Sequence, residues 1–245
     1  MKKAIYTLAR KSLQTFGLDL VRYGEARNAF DRMRLCRELG FKPQCIVDGG
    51  AFRGLWSVKI SRLYPDANFL LIEPNPDLQG TIAENIRGLD GVVINVALGR
   101  LPGKATFNFW SNPASDAGAS LLDHVSGSPS SSIEVEVDTL DNICNRLSLG
   151  PDLIKLDLQG AELAALEGAQ RVLQDAEFAI IEFGVLEAYV GRTSPRDLLD
   201  FMYDNGFTLY DIIDCHNRPY DGALCGGDFF FAKKSSPLRV YNGYI

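Results

Sequence analysis

At 245 residues, 46% apolar and 23% charged, the chain has the size and balance of one globular domain, with or without an appendage. It has no run of about 18 apolar residues and no apolar N-terminal core before a small-residue cleavage site, so neither a membrane-spanning helix nor a secretory leader is expected. The net charge of −6 divides into about +6 over residues 1–42 and about −12 over the rest, and so acidic a main body argues against general nucleic-acid binding.

In chain order, the first pattern is helical. Ile5, Leu8, Ala9, Leu13 and Phe16 fall near one face of residues 3–16, with Lys2, Lys3, Arg10 and Lys11 elsewhere and Gly17 as a stop. A second helix is predicted over residues 25–39, with Phe30, Met33, Leu35, Cys36 and Leu39 apolar and Gly40 closing it. Residues 1–42 therefore read as an N-terminal helical cap. The plain reading packs this cap on the main domain. The sharper reading makes it a basic amphipathic surface for an anionic membrane or a carrier partner, at the inner face of the membrane of a cytoplasmic protein.

From residue 45 strands and helices alternate. Strands are predicted at 45–48, 68–73, 92–96, 153–157, 178–183, 207–213 and 228–232. Helices are predicted at 55–63, 77–86, 161–173 and 195–205, and from a cap at Asp138 to residue 147. The strands are continuous apolar runs, as strands covered on both faces are. The expectation is an α/β fold with a Rossmann-like, doubly wound, seven-stranded and mostly parallel sheet. Its last strand is antiparallel, because no helix fits between residues 213 and 228. Residues 106–110 and 133–137 interrupt the alternation as a strand pair around an insertion at 111–132, rich in Ser, Gly, Pro and Asn. A connection of that length is characteristically a lid, a binding loop or a disordered segment. The main domain then covers 43–235, and 236–245 is a C-terminal tail.

Ligands of such sheets bind beyond the carboxyl ends of the strands, where the strand order reverses. The first of these ends is Asp48, followed by Gly49, Gly50, Ala51 and Gly54 in a turn that leads into a helix N-terminus. Glycine in that turn permits close approach to the backbone. A pyrophosphate fingerprint wants glycine where Asp48 stands. An acid there suits an ammonium or sulfonium charge instead, which favours S-adenosylmethionine (SAM) over NAD. Glu73, 25 residues on and followed by Pro74, is placed to accept both hydroxyls of a ribose. Asn95, Val96 and Ala97 follow the third strand as a small-residue stretch suited to an adenine ring.

Val-Asp-Gly-Gly-Ala at 47–51, with Gly54, resembles motif I of class I SAM-dependent methyltransferases. The wider series is similar to the FkbM methyltransferase family. It continues with Ile-Glu-Pro-Asn-Pro at 72–76, Val-Ala-Leu-Gly at 96–99 and Val-Asp-Thr-Leu-Asp at 137–141. It ends with Ile-Lys-Leu-Asp-Leu-Gln-Gly-Ala-Glu at 154–162 and Ile-Glu-Phe at 181–183. The resemblance covers residues 45–232. It implies methyl transfer to oxygen, on a hydroxyl of a sugar, a glycan or a natural-product scaffold. Two residues depart from the family's pattern: Phe52 stands where it has asparagine, and Gln159 where it has glutamate. They motivate a rival expectation, a SAM-binding module without turnover; an NAD(P)-dependent Rossmann enzyme is a second rival.

Methyl transfer to a hydroxyl needs the acceptor oxygen aligned and its proton removed. Asp157, ending the strand beside that of Asp48, is the first candidate for that proton. Glu162 opens the next helix and either assists or serves the helix N-terminus. Lys155 either pairs with a strand-end acid or orients the acceptor oxygen. Asp157, Glu162 and Glu182 make an acidic rim where a divalent ion is conceivable but not predicted. His216, in the loop after the sixth strand, is a natural base near neutral pH, with His124 in the insertion a weaker second. The five cysteines (Cys36, Cys45, Cys144, Cys215, Cys225) form no CxxC or Cys/His cluster, so reduced thiols and no zinc are expected. Trp110, Tyr189 and Tyr220 are candidates for a sugar-stacking wall or for plain packing. The insertion and the loop 214–227 are expected to shape the acceptor pocket.

Overall fold

Strand β1 (Cys45–Gly49) is buried along its whole length and stands third from one edge of the sheet. The computed structural model describes residues 28–241; the helix predicted at 3–16 and the first residues of the second helix lie outside them. Strand β1 pairs in parallel with β2 (Asn68–Ile72) on one side and β7 (Leu153–Leu156) on the other. Edge to edge, the seven-stranded sheet runs β3 (Gly91–Ile94), β2, β1, β7, β8 (Phe178–Gly184), β10 (Leu224–Lys233) and β9 (Phe207–Asn217). Of the seven, β10 alone opposes the rest, because it returns from β9 through a hairpin instead of a crossover helix. The chain builds outward from β1 to β3, then from β7 the other way, so β1 and β7 frame the point where the order reverses.

Successive strand residues face opposite ways, so each strand feeds two apolar layers. Ile46, Leu71, Leu153 and Phe230 join the first layer, covered by α1 (Ala29–Glu38), α2 (Leu55–Ser61) and α3 (Gln79–Asn85) through Met33, Ile60 and Ile82. Val47, Leu70, Ile154 and Phe231 join the second. That layer is covered by α4 (Leu140–Leu147), α5 (Glu162–Glu167), α6 (Gln170–Asp175) and α7 (Pro195–Asp204) through Ile143, Leu166, Leu173 and Leu198. Burial of each such side chain contributes about 1.5–3 kcal/mol, which is why long apolar runs read so plainly as strands.

Some boundaries differ from expectation. Helix α1 starts at Ala29, where Asn28 accepts the Asp31 amide proton as N-cap. Thr139, not Asp138, caps α4, and Asp138 pairs with Arg146 instead. The helix expected over 161–173 is two helices, α5 and α6. A side chain at Gly168 would overlap the carbonyl oxygen of Gly99, and the Gly168 carbonyl accepts the Asp141 N–H at the start of α4. The chain bends to make that close approach.

The strand pair expected around the insertion is present in a second, three-stranded sheet, where β6 (Ser131–Asp138) lies between β4 (Ala97–Leu98) and β5 (Gly103–Phe109). The insertion between β5 and β6 crosses the carboxyl end of the main sheet and meets the loop after β8 at an isolated bridge between His124 and Tyr189. The loop expected over 214–227 is mostly strand. Strand β9 runs on to Asn217 and β10 begins at Leu224, with register shifts along the pair. Among the described residues no helix is long and apolar enough to cross a membrane.

Candidate active site

The turn after β1 is built on its own neighbours. Gly50 has φ +73°, and a Cβ there would overlap the carbonyl oxygen of Asp157. The close approach that glycine permits is therefore to the loop after β7. The Gly50 and Ala51 N–H groups both donate to the Ile72 carbonyl, at 2.9 and 3.1 Å. Gly54, also left-handed, precedes α2 and packs on Leu71, Ile82 and Ile86. Between them Phe52 holds φ +50°, which disfavours a side-chain-bearing residue by about 1–2 kcal/mol. A charge-assisted hydrogen bond offsets this: the Phe52 N–H donates to Glu73 Oε2 at 2.8 Å.

Asp48 lines no cavity. It is fully buried beneath the turn, where Oδ2 accepts from Ser57 Oγ at 2.7 Å and Oδ1 lies 3.2 Å from Lys155 Nζ. The same ammonium stands 3.4 Å from Asp157 Oδ2 and from the Gly50 carbonyl oxygen. Burial works against the Lys155 charge, but Asp48, Asp157 and Asp228 outweigh it and hold its pKa above the ordinary value. Lys155 thus ties the turn after β1 to the end of β7, and loss of Lys155 or Asp48, the buried pair, would leave an uncompensated charge, at a cost of roughly 3–5 kcal/mol. Gly49 is likewise closed off, by Leu156 and Leu98.

Two cavities open beyond these strand ends. The first has a cavity volume of about 140 Å³. Ile72, Pro74, Leu78, Val96, Ala97 and Leu98 make its apolar walls, and Asp116, Ala117, Ala119 and Leu121 of the insertion roof it. Its chief acid is Glu73, 6% exposed, whose two oxygens accept the N–H groups of Phe52 and Asn75. Burial pushes the Glu73 carboxyl up to about 7, while those two N–H groups and Lys155 pull the other way. Asn95 is outside the cavity. Its side chain donates to the carbonyls of Glu73 and Pro74 at 2.8 and 2.9 Å and so fixes that backbone. Asn75, which spacing did not single out, bonds the Pro113 carbonyl and ties the insertion down.

The second cavity, of about 420 Å³, shares Gly50, Phe52 and Asp157 with the first. Phe30 of α1, Trp56 of α2 and Lys155, Glu182, Asp214, His216 and Asp228 line it, with Ala51, Arg53 and Lys59. Burial and then the neighbouring Asp157 and Glu162 push Glu182 up to about 9, against the pull of Arg192. Burial and Asp157 push Asp228 up to about 7. These two acids stand directly opposite one another on β8 and β10. Asp228 was legible in principle: an antiparallel strand brings its first residue, not its last, to the crevice.

Other expectations are revised by placement. Glu162 is 1% exposed and lines neither cavity; its Oε1 accepts the N–H groups of Leu158 and Gly160 and staples the loop after β7. His216 faces the second cavity from strand β9, not from a loop. Trp110, His124 and Tyr189 pack on each other with centroids 5.1–6.0 Å apart, away from both cavities. Tyr220 is exposed at the hairpin tip. The aromatic side chains at the second cavity are Phe52 of the turn, Phe30 of α1 and Trp56 of α2; helical periodicity marks Phe30 as packing and does not single out Trp56. Among the described residues no group of three or more His, Cys, Asp or Glu side chains is arranged to hold a metal ion.

Residues 48–209 match the family described as the methyltransferase FkbM domain. The 2-O-methyltransferase NoeI of Sinorhizobium fredii is 28% identical over 174 residues, 64% of this chain and 70% of its own length. The hexuronic acid methyltransferase AglP of Haloferax volcanii is 26% identical over 165 residues, 67% of this chain and 66% of its own length. In fold, the chain is similar to magnesium protoporphyrin IX methyltransferase (ChlM) of Synechocystis PCC 6803, solved with bound SAM. The TM-score is 0.50 at 12% identity, over 83% of this chain and 77% of that one. The matched residues include the turn after β1, Glu73, Asp157 and Glu182, and by that match the chain belongs to the FkbM methyltransferase family.

Proposed function

We propose that the chain is a SAM-dependent O-methyltransferase whose acceptor is a hydroxyl of a sugar, a glycan or a similarly hydroxylated natural product. The observation that carries this reading is the meeting of two unlike cavities at Gly50, Phe52 and Asp157. The first fits a nucleoside: an apolar slot of Leu78, Val96, Ala97 and Leu98 for a base, and the Glu73 carboxylate for two ribose hydroxyls. Glu73 uses one lone pair of each oxygen on the backbone and keeps the others. SAM, when bound, supplies a methyl group on a positively charged sulfur. The second cavity fits a polyol, with Phe30 and Trp56 as ring faces and Glu182 and Asp228 as hydroxyl partners. Asp157 faces both cavities and is placed to take the acceptor proton, with its oxygens fixed by Lys155 and Gln159. The insertion roofs the nucleoside side and keeps water from it. Transfer to oxygen and a sugar-type acceptor are further supported by what the two relatives do.

Calorimetry with SAM tests the cofactor. Micromolar affinity is expected, weakened about 30-fold in Glu73→Ala by loss of charge-assisted hydrogen bonds. No binding to the unaltered chain would sink the reading. Incubation with SAM labelled in its methyl group and a panel of monosaccharides and oligosaccharides tests the acceptor. The expected product is a methyl ether; label on nitrogen or carbon instead would overturn O-transfer.

A further inference from the structure

Gln159 lies in the loop between β7 and α5 with φ +53°. This unfavourable backbone aims its side chain between two acids. Nε2 stands 2.8 Å from Asp157 Oδ1 and 3.3 Å from each oxygen of Glu182. On the other side, Oε1 faces the Tyr189 hydroxyl at 3.1 Å, and the Gln159 carbonyl accepts from Ser120 Oγ of the insertion at 2.9 Å. The orientation of the amide follows its shortest contact, in which the NH2 group donates to the Asp157 carboxylate.

Asp157 and Glu182 face one cavity, and the charge of Asp157 helps hold Glu182 in its protonated form, so ionisation of both needs something between them. A proton, a cation or a neutral donor can serve. Arg192 reaches Glu182 at 3.9 Å, and Lys155 reaches Asp157 Oδ2. Neither cation is recorded bridging the two acids; the group bonded to both is the Gln159 amide.

We propose that Gln159 is a positioning residue for the transfer reaction: its amide occupies the place between Asp157 and Glu182 that a divalent cation would otherwise take, and holds the Asp157 carboxyl in line. The proposal rests on the reading of Asp157 as the proton acceptor, and its test does not. The amide supplies two donors and no charge, so the pair needs no metal ion to stay together. Its anchoring by Tyr189 and Ser120 makes the geometry depend on the seating of the insertion.

The test uses the full chain, Mn²⁺ as probe, and Gln159→Glu, Gln159→Ala and Tyr189→Phe. Electron paramagnetic resonance of free Mn²⁺ reads binding. The unaltered chain is expected to bind no tighter than about 1 mM, and Gln159→Glu at least about tenfold tighter. Adding Glu182→Gln to that variant should remove the gain. Carbon-13 NMR of the carboxyl groups reads positioning. Loss of the donor should move the Glu182 midpoint upward in Gln159→Ala, and less far in Tyr189→Phe. Mg²⁺ should bring it back in Gln159→Glu and not in Gln159→Ala. Tight Mn²⁺ binding by the unaltered chain, lost in Asp157→Asn, would overturn the proposal. So would an unmoved Glu182 titration in Gln159→Ala or, where that variant does not fold, in Tyr189→Phe. SAM calorimetry on the unaltered chain is run beside these, so failure of the cofactor reading is seen separately.

Discussion

Glu73 is the residue whose burial conflicts with its proposed role at the ribose. Burial favours its protonated form, and ribose hydroxyls want its charged form. With its carboxyl near 7, SAM affinity should rise between pH 6 and pH 8, and binding at pH 7 should release part of a proton. Calorimetry in buffers of different ionisation enthalpy measures that release; a flat profile would remove Glu73 from the ribose. The sequence located Glu73 and Asp157 because position at a strand end fixes nearness to the crevice. It did not separate them from Asp48, Glu162 and Asn95, which turn their side chains into the protein. Spacing along a strand does not say what stands across from it. Asp48 and Lys155 are direct register partners on β1 and β7, and that pairing exists only once the sheet is assembled.

At the scale of elements, the central strands β1, β7 and β8 were legible because nearly every residue on either face is buried. The outer halves of β9 and β10 were not, since 214–224 is polar and reaches past the helix layers. The break between α5 and α6 was hidden for another reason: glycine in a helical pattern gives no sign of a carbonyl oxygen beside it. Gly168→Ala should therefore destabilise the chain by about 1–3 kcal/mol, well beyond its effect on an open helix, where alanine would stabilise. Urea denaturation decides between the two signs. Helix α1 is fastened to β9 at two points: the Ala29 N–H donates to Asp214 Oδ2 at 2.7 Å, and Arg32 pairs with Asp211. Asp214→Ala should cost about 1 kcal/mol, with amide exchange faster in α1 before the central strands are affected. A uniform rise in exchange would show that α1 is not a separate unit.

For the molecule as a whole, the acids around the crevice set its response to pH. Glu73 and Asp228 are raised to about 7 and Glu182 to about 9. Over the window from their ordinary values up to these, the native chain holds protons that the unfolded chain has released. Stability therefore falls as pH rises through that window. The thermal midpoint should be higher at pH 5.5 than at pH 8.5, by at least about 4 °C. A midpoint that rose toward pH 8.5 would mean that these carboxyls titrate normally. Three residues, Gly50, Phe52 and Asp157, border both cavities, so the two spaces are adjoining rooms with one doorway. One compound can therefore occupy both. An adenosine fragment joined by a short linker to a hydroxylated ring would present its second half at an effective concentration in the millimolar range, and so inhibit beyond either half alone. Its discrimination among related enzymes would come from the far room, where Phe30 and Asp228 belong to segments outside the residues matched to the family.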